Sequence, residues 1–235
     1  MSDDVVVLER EGPRAEVVLN RPWRRNAVTP EVVERCLEIV TGLATDRSVG
    51  AVLLRGAGGT FCSGMDLKEF AATPASEGAA GFPSRWATLH RALADLPVPL
   101  VGALEHAAVA GGAALALACD LLVVGRGAFL HVSEVELARA APVNVAWLTY
   151  KYGPAVALEA VVAAPRYDAA ALEARGIAHQ VADDDEVVDV ARDLADRLAR
   201  HDRDTVVQLK QAVRAAAPGS FAEALERVTH AGGRS

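Results

Sequence analysis

Residues 108–124, "AVAGGAALALACDLLVV", constrain the fold more than any other part of this 235-residue chain. The stretch is apolar on every side of any helix or strand it could form, so it belongs in an interior. It is too short to cross a bilayer, which takes ~20 apolar residues, and Asp120 and the Gly111-Gly112 pair interrupt it. Two adjacent glycines in a helix cost roughly 1 kcal/mol each relative to alanine. They also stand where a capping Ser, Thr or Asp is the usual choice. Either they let a helix pack closely on a strand, or they bring backbone amides up to a ligand.

An interior of this kind needs a body around it. The composition, 51% apolar and 23% charged, is that of an ordinary globular chain. The length suits one sizeable core, or a main domain with a small appendage. The formal net charge is −7 and the 24 Lys and Arg are scattered. No basic stripe is available for nucleic acid. Three cysteines without CxxC spacing argue against a disulfide framework and a structural zinc site. No HExxH motif occurs, so no metal is expected. The opening "MSDDVVVLER" puts two aspartates where a signal peptide carries basic residues. The expectation is a soluble protein of a reducing compartment, cytoplasmic and without a membrane partner.

The pattern predicts an α/β body with an α-rich end. Residues 5–9 and 15–20 read as strands joined by the turn signal "REGPR", a hairpin. Thr29-Pro30-Glu31 reads as a helix start, followed by Val32, Val33, Leu37, Val40 and Leu43 at helical spacing. Short strands are expected at 51–54, 98–104, 121–124, 128–131 and 177–181. Helices are expected at 85–95, 111–119, 185–200, 204–217 and 221–230. The span 143–174 reads as mostly helical, interrupted at Gly153-Pro154 and Pro165. Residues 71–84, small and aperiodic, read as a loop. A division into a core, 1–200, and a short C-terminal helical region, 201–235, is expected.

Two glycine-bearing loops stand out once other motifs are set aside. "GAGGTF" after a strand has Phe61 where a dinucleotide loop needs its third glycine. Gly64 is followed by Met65, so there is no P-loop. Ser63 lacks the flanking glycines of a hydrolase elbow. What remains is "FCSGMD" (61–66) after one strand and "VAGGA" (109–113) after another. The amides at a helix start have no intrahelical partner and sit at the positive end of the dipole. Glycine has no Cβ to hold a ligand oxygen away. Two such amides aimed at one oxygen make an oxyanion hole.

The segments "NRPWRRNAVTPE" (20–31), "FCSGMDLKEF" (61–70), "VPLVGALEHAAVAGGAALALACDLLVV" (98–124), "FLHVSEVEL" (129–137) and "YGPAVALEAVVAAPRYDAAALEARGIAHQV" (152–181) occur in an order and spacing that resemble the crotonase superfamily, the enoyl-CoA hydratases and isomerases. The resemblance covers roughly residues 5–215. It implies a spiral of ββα units with a helical C-terminal part, assembled as a homotrimer or a dimer of trimers. It implies an acyl-CoA thioester as substrate, coenzyme A being part of that substrate, with no separate cofactor.

Carried over position by position, the oxyanion amides fall on Met65 and Gly111. Coenzyme A would lie along Arg24, Arg25 and Ala27 and the backbone of Ser63, Asp66 and Leu67, with Gly112 and Ala114 beside the substrate. Arginines suit phosphates because they are permanently charged and bind two oxygens at once. Hydratases of this superfamily carry two glutamates. The first position is Ala114 here; the second is Glu134. One carboxylate suffices to move a proton along a chain, so the pattern favours an enoyl-CoA isomerase-like shuttle at Glu134. Hydration remains open if a group such as His106 or Glu136 replaces the missing glutamate. Decarboxylation, C–C cleavage and thioester hydrolysis also remain open, with His106, His131 or Glu136 as further candidates. So does a non-catalytic thioester-binding protein. Departures from the superfamily pattern include Glu105-His106 for Asn-Gly, Ala110-Gly111-Gly112 for three glycines, and Ser133 for the proline before Glu134.

Overall fold

The structure, a computed structural model, describes residues 4–72 and 81–232. Strands β1 (Val6–Glu11) and β2 (Arg14–Leu19) form the expected antiparallel hairpin, with Gly12 in the turn at φ 55°. Helix α1 (Pro30–Thr45) starts where the sequence says. Thr29 Oγ1 accepts from Val32 N at 3.2 Å and Pro30 takes the first helical position. Strand β3 (Ala51–Gly56) then pairs parallel with β2. Short α2 (Leu67–Ala72) and long α3 (Phe82–Asp95) follow. Helix takes both ends of the loop expected at 71–84; residues 73–80 lie outside the described residues.

From β4 the chain climbs by a repeating step. Strands β4 (Leu100–Leu104) and β5 (Ala107–Val109) lead into α4 (Gly111–Ala118). Strands β6 (Leu121–Gly125) and β7 (Phe129–His131) lead towards α5 (Pro142–Leu158). The first strand of each step joins a six-stranded sheet, β1-β2-β3-β4-β6-β9, parallel from β2 onward. The second joins a three-stranded sheet, β5-β7-β8. Strand β8 (Tyr167–Asp168) is antiparallel to β7; α6 (Ala169–Ala174) and β9 (Gln180–Ala182) come next.

Three sequence expectations shift here. Strand β5 falls in residues given no element, and β8 falls inside a span read as helical. Each is three residues or fewer, too short to show a period, and is held by pairing with β7. The break at Gly153 is a kink inside α5, with Gly153 at φ 85°, and the helix passes into one wider turn at residues 159–163. Strand β9 begins later than residue 177 because pairing with β6 starts at Gln180.

The large sheet is covered on both faces, which is why its strands read as continuous apolar runs. Helix α7 (Val187–Ala199) packs Val187, Ala191, Leu194 and Ala195 against Leu53, Val101 and Val123. Burying a leucine-sized side chain contributes roughly 1.5–3 kcal/mol. The opposite face meets α1, α3 and α4. All eight residues of α4 are buried, as its all-round apolar sequence demands.

Helix α8 (Arg203–Ala216) buries none of its residues. Three long cations tie it to the body: Arg203 to Val49 O (3.0 Å), Lys210 to Val98 O (2.8 Å) and Arg214 to Leu96 O (3.1 Å). Helix α9 (Phe221–Gly232) packs on α5, with the Phe221 ring stacked on Trp147 at 3.8 Å between centroids. Among the described residues no helix is long and apolar enough to cross a membrane.

Candidate active site

The two glycine loops are zipped together. Cys62 N donates to Ala107 O and Val109 N to Cys62 O, both at 3.0 Å, so the first loop runs along β5. Gly64, at φ 94°, lies where an added Cβ would meet Val109 O at 2.8 Å. Only glycine permits that approach and that backbone angle.

The Gly111-Gly112 pair divides its work. A Cβ on Gly112 would stand 2.3 Å from Cys62 O, so Gly112 serves close packing of helix on strand. A Cβ on Gly111 would meet only side-chain ends, Met65 Cε at 3.1 Å and Trp86 Cζ2 at 3.6 Å. Gly111 faces side-chain ends, not backbone. With Ser63, Met65, Leu67, Phe82, Trp86, Glu134 and Asn144 it lines a cavity of about 420 Å³. The amides of Met65 and Gly111 donate to nothing among the described residues. Both residues expected to form an oxyanion hole thus stand at one cavity with their N–H groups uncommitted.

Ala110, just before Gly111, is a left-handed alanine at φ 50°, ψ −114°. Such a conformation costs roughly 1–3 kcal/mol and persists where surroundings over-determine it. Three bonds do so. Ala110 N donates to His131 O (2.8 Å), and Ala110 O accepts from Ala114 N and from Asn144 Nδ2 (both 3.1 Å).

Glu134 opens a one-turn 3-10 helix (Glu134–Leu137) and is the one carboxylate among the described residues lining this cavity. Asn144 Nδ2 donates to Glu134 Oε1 at 2.9 Å, while Oε2 is buried without a hydrogen-bond partner. Burial pushes this carboxyl above its ordinary pKa, and the bonds from its own backbone and from Asn144 counteract only part of that rise. A buried carboxylate with one oxygen held and one uncommitted has the form of a general base.

The remaining expected residues are placed elsewhere. Ala114 is buried in α4 and does not line the cavity. The Asp66 carboxylate is paired with buried Arg21 at 3.3 Å and receives Glu69 N. Ala27 is buried, its carbonyl bonded by Arg21. Arg24 and Arg25 are exposed and form no ion pair among the described residues. Their carbonyls hold the first loop, Ser63 N donating to Arg25 O (3.0 Å) and Ser63 Oγ to Arg24 O (3.3 Å). His106 is exposed at φ 52° and rests edge-on to Phe129, outside the cavity. His131 is buried on β7, Nε2 lying 3.2 Å from Glu136 Oε1, and neither lines the cavity. Sequence reasoning passed over Asn144 and Arg139, which do line it.

A larger cavity, about 800 Å³, lies between α5, α8 and α9 and contains neither glycine loop. Among the described residues no cluster of three or more His, Cys, Asp or Glu could hold a metal ion.

A family model described as enoyl-CoA hydratase/isomerase matches residues 9–230. A putative enoyl-CoA hydratase of Thermus thermophilus is 32% identical over 217 residues, 91% of this chain and 85% of that one. A probable enoyl-CoA hydratase of Mycobacterium bovis is 28% identical, covering 96% and 87%. Among solved structures, a Pseudomonas aeruginosa protein superposes with a TM-score of 0.86 at 29% identity over 97% of this chain and 98% of that one. An enoyl-CoA hydratase of Bacillus anthracis does so with 0.83 at 25% over 89% and 82%. The spiral of strand pairs and helices described above is the architecture these structures share.

Proposed function

The chain belongs to the enoyl-CoA hydratase/isomerase family, and from that premise we propose that it moves a proton within an enoyl-CoA thioester, with Glu134 as the single acid–base group. The observation that carries this reading is the cavity itself: two uncommitted amides and one raised, half-free carboxylate. The thioester oxygen accepts from Met65 N and Gly111 N. Glu134 takes a proton from C2, the charge passes into a dienolate held by the two amides, and Glu134 returns the proton at C4. The double bond moves from position 3 to position 2, and no atom is gained or lost. Removing an oxyanion donor typically costs ~10²–10³ in kcat.

Coenzyme A would lie over the exposed side of the 20–28 turn, where Arg24 and Arg25 form no ion pair among the described residues. No resident cofactor is needed for this chemistry. A homotrimer or pair of trimers is the assembly we expect, and sedimentation of the purified protein checks it.

The test is trans-3-hexenoyl-CoA incubated with the protein in D2O. The expected product is trans-2-hexenoyl-CoA formed at an enzymatic rate and abolished by Glu134→Gln. Faster hydration of trans-2-hexenoyl-CoA than isomerisation would replace this reading by the hydratase one. Tight binding without turnover of either thioester would replace it by a non-catalytic role.

A further inference from the structure

We propose that Asn144 is the positioning residue that fixes the base and the oxyanion amide relative to each other; this rests on the reading of Glu134 and Gly111 given above. One side-chain amide reaches both halves of the site. Its Nδ2 donates to Glu134 Oε1 at 2.9 Å and to Ala110 O at 3.1 Å. Both partners are acceptors, so the amide orientation is set by the network; a flipped amide would face oxygen with oxygen.

The second contact matters more than it first looks. Ala110 O and Gly111 N belong to one peptide unit. That unit is planar and trans, so its C=O and N–H point in opposite directions. Holding Ala110 O therefore holds the direction of the Gly111 N–H. Ala110 adopts a strained left-handed conformation to present that plane, and Asn144 is one of the three groups that pin it. Asn144 stands in the first turn of α5 and is 2% exposed. Base and oxyanion donor come from segments 23 residues apart, joined here through a single side chain. A misplacement of about 1 Å can cost ~10²-fold in rate.

Glu134 and the groups around it also fix the sign of the pH effect. Asn144 stabilises the ionised carboxylate, together with the backbone N–H of Glu134 and the nearby His131. Arg139 also lines the cavity. Removing the Asn144 donor leaves burial less opposed and moves the base's titration upward.

The experiment measures isomerisation of trans-3-hexenoyl-CoA against pH by wild type, Asn144→Asp and Asn144→Ala, with Glu134→Gln alongside. Asn144→Asp keeps shape and removes the donor. The expected result is a kcat lowered roughly 10- to 100-fold, KM within about threefold, and an acid limb displaced to higher pH in both variants. Asn144→Ser guards against loss of fold and should fall between wild type and Asn144→Ala. An unmoved acid limb in folded variants, with or without a fall in kcat, overturns the positioning role while Glu134→Gln stays inactive. Full activity in Glu134→Gln overturns the underlying reading instead.

Discussion

The larger cavity, about 800 Å³, is walled by Trp147, Phe221, Leu209 and Val213 and carries Lys151, Lys210 and Arg214 on its rim. These cations are spoken for. Lys151 binds Leu117 O and Cys119 O, Lys210 binds Val98 O and Asp120, and Arg214 binds Leu96 O. The smaller cavity, about 420 Å³, holds two free amides and a buried carboxylate oxygen without a partner. Buried polar groups are almost always satisfied, so unmet ones mark where a ligand is anticipated. Unmet hydrogen-bonding capacity locates the chemistry here, and volume does not.

That contrast can be broken most sharply at the two charged groups. Glu134→Gln is expected to lower kcat on trans-3-hexenoyl-CoA by ~10²–10⁴-fold, the usual worth of a general base. Lys210→Met, on the larger cavity, should leave it within about threefold, since Lys210 is bonded to Val98 O and Asp120. Steady-state kinetics of the pair decides; equal losses would erase the distinction between the cavities.

The glycine pair gives the next effect. Gly112→Ala forces a Cβ to 2.3 Å from Cys62 O, backbone that cannot yield, and should destabilise by at least the ~1–3 kcal/mol of an overpacked core. Gly111→Ala meets the flexible end of Met65 and, at an ordinary contact distance, Trp86, so it should melt near wild type while losing turnover. Calorimetry and kinetics on both variants separate packing from binding.

Acid tests a residue lying between the two cavities. His90 is fully buried, accepts from Trp147 Nε1 at 2.9 Å and has its pKa pushed down to about 3 by desolvation. The unfolded chain protonates near 6.5, so the folded state binds fewer protons between these values. Stability is then present above about 6.5 and falls towards 3, by about 1.4 kcal/mol per pH unit for one proton. His90→Gln, which keeps an acceptor for Trp147, should flatten denaturant midpoints across that window.

Glu134 gives the smallest effect, with opposite sign. Its folded pKa is raised, so its contribution to stability is full below the ordinary carboxylate value, about 4.3, and is lost as pH rises through the folded value. Glu134→Gln should melt above wild type at pH 8, with the gap closing in acid. The same titration sets the acid limb of turnover, because only the ionised form removes a proton.

Local patterns carried much of the fold in the sequence. The hairpin at Gly12, the Thr29-Pro30 cap and the buried strands were all legible from nearest neighbours. The positions of Met65, Gly111 and Glu134 came instead from the resemblance to the crotonase superfamily, carried over residue by residue. Asn144 was not legible, because its meaning comes from contacts 10 and 34 residues away. A signal did exist: the resemblance to the superfamily implies a glycine where Ala110 stands, and Ala110 holds a backbone angle that glycine would take freely. The partner of the Asp66 carboxylate was hidden for a similar reason, since Arg21 stands 45 residues away. Strands β5 and β8 had no period to display.

The three tryptophans occupy three different media. Trp23 is 67% exposed, on the turn beside Arg24. Trp86 walls the smaller cavity, its ring facing Phe82 at 6.1 Å and His90 at 4.3 Å. Trp147 is buried against Phe221 on the larger one. Aqueous quenchers reach the first and spare the other two. The emission that survives acrylamide comes from the walls of both cavities, so the unlabelled protein carries its own optical probe of which one a thioester fills.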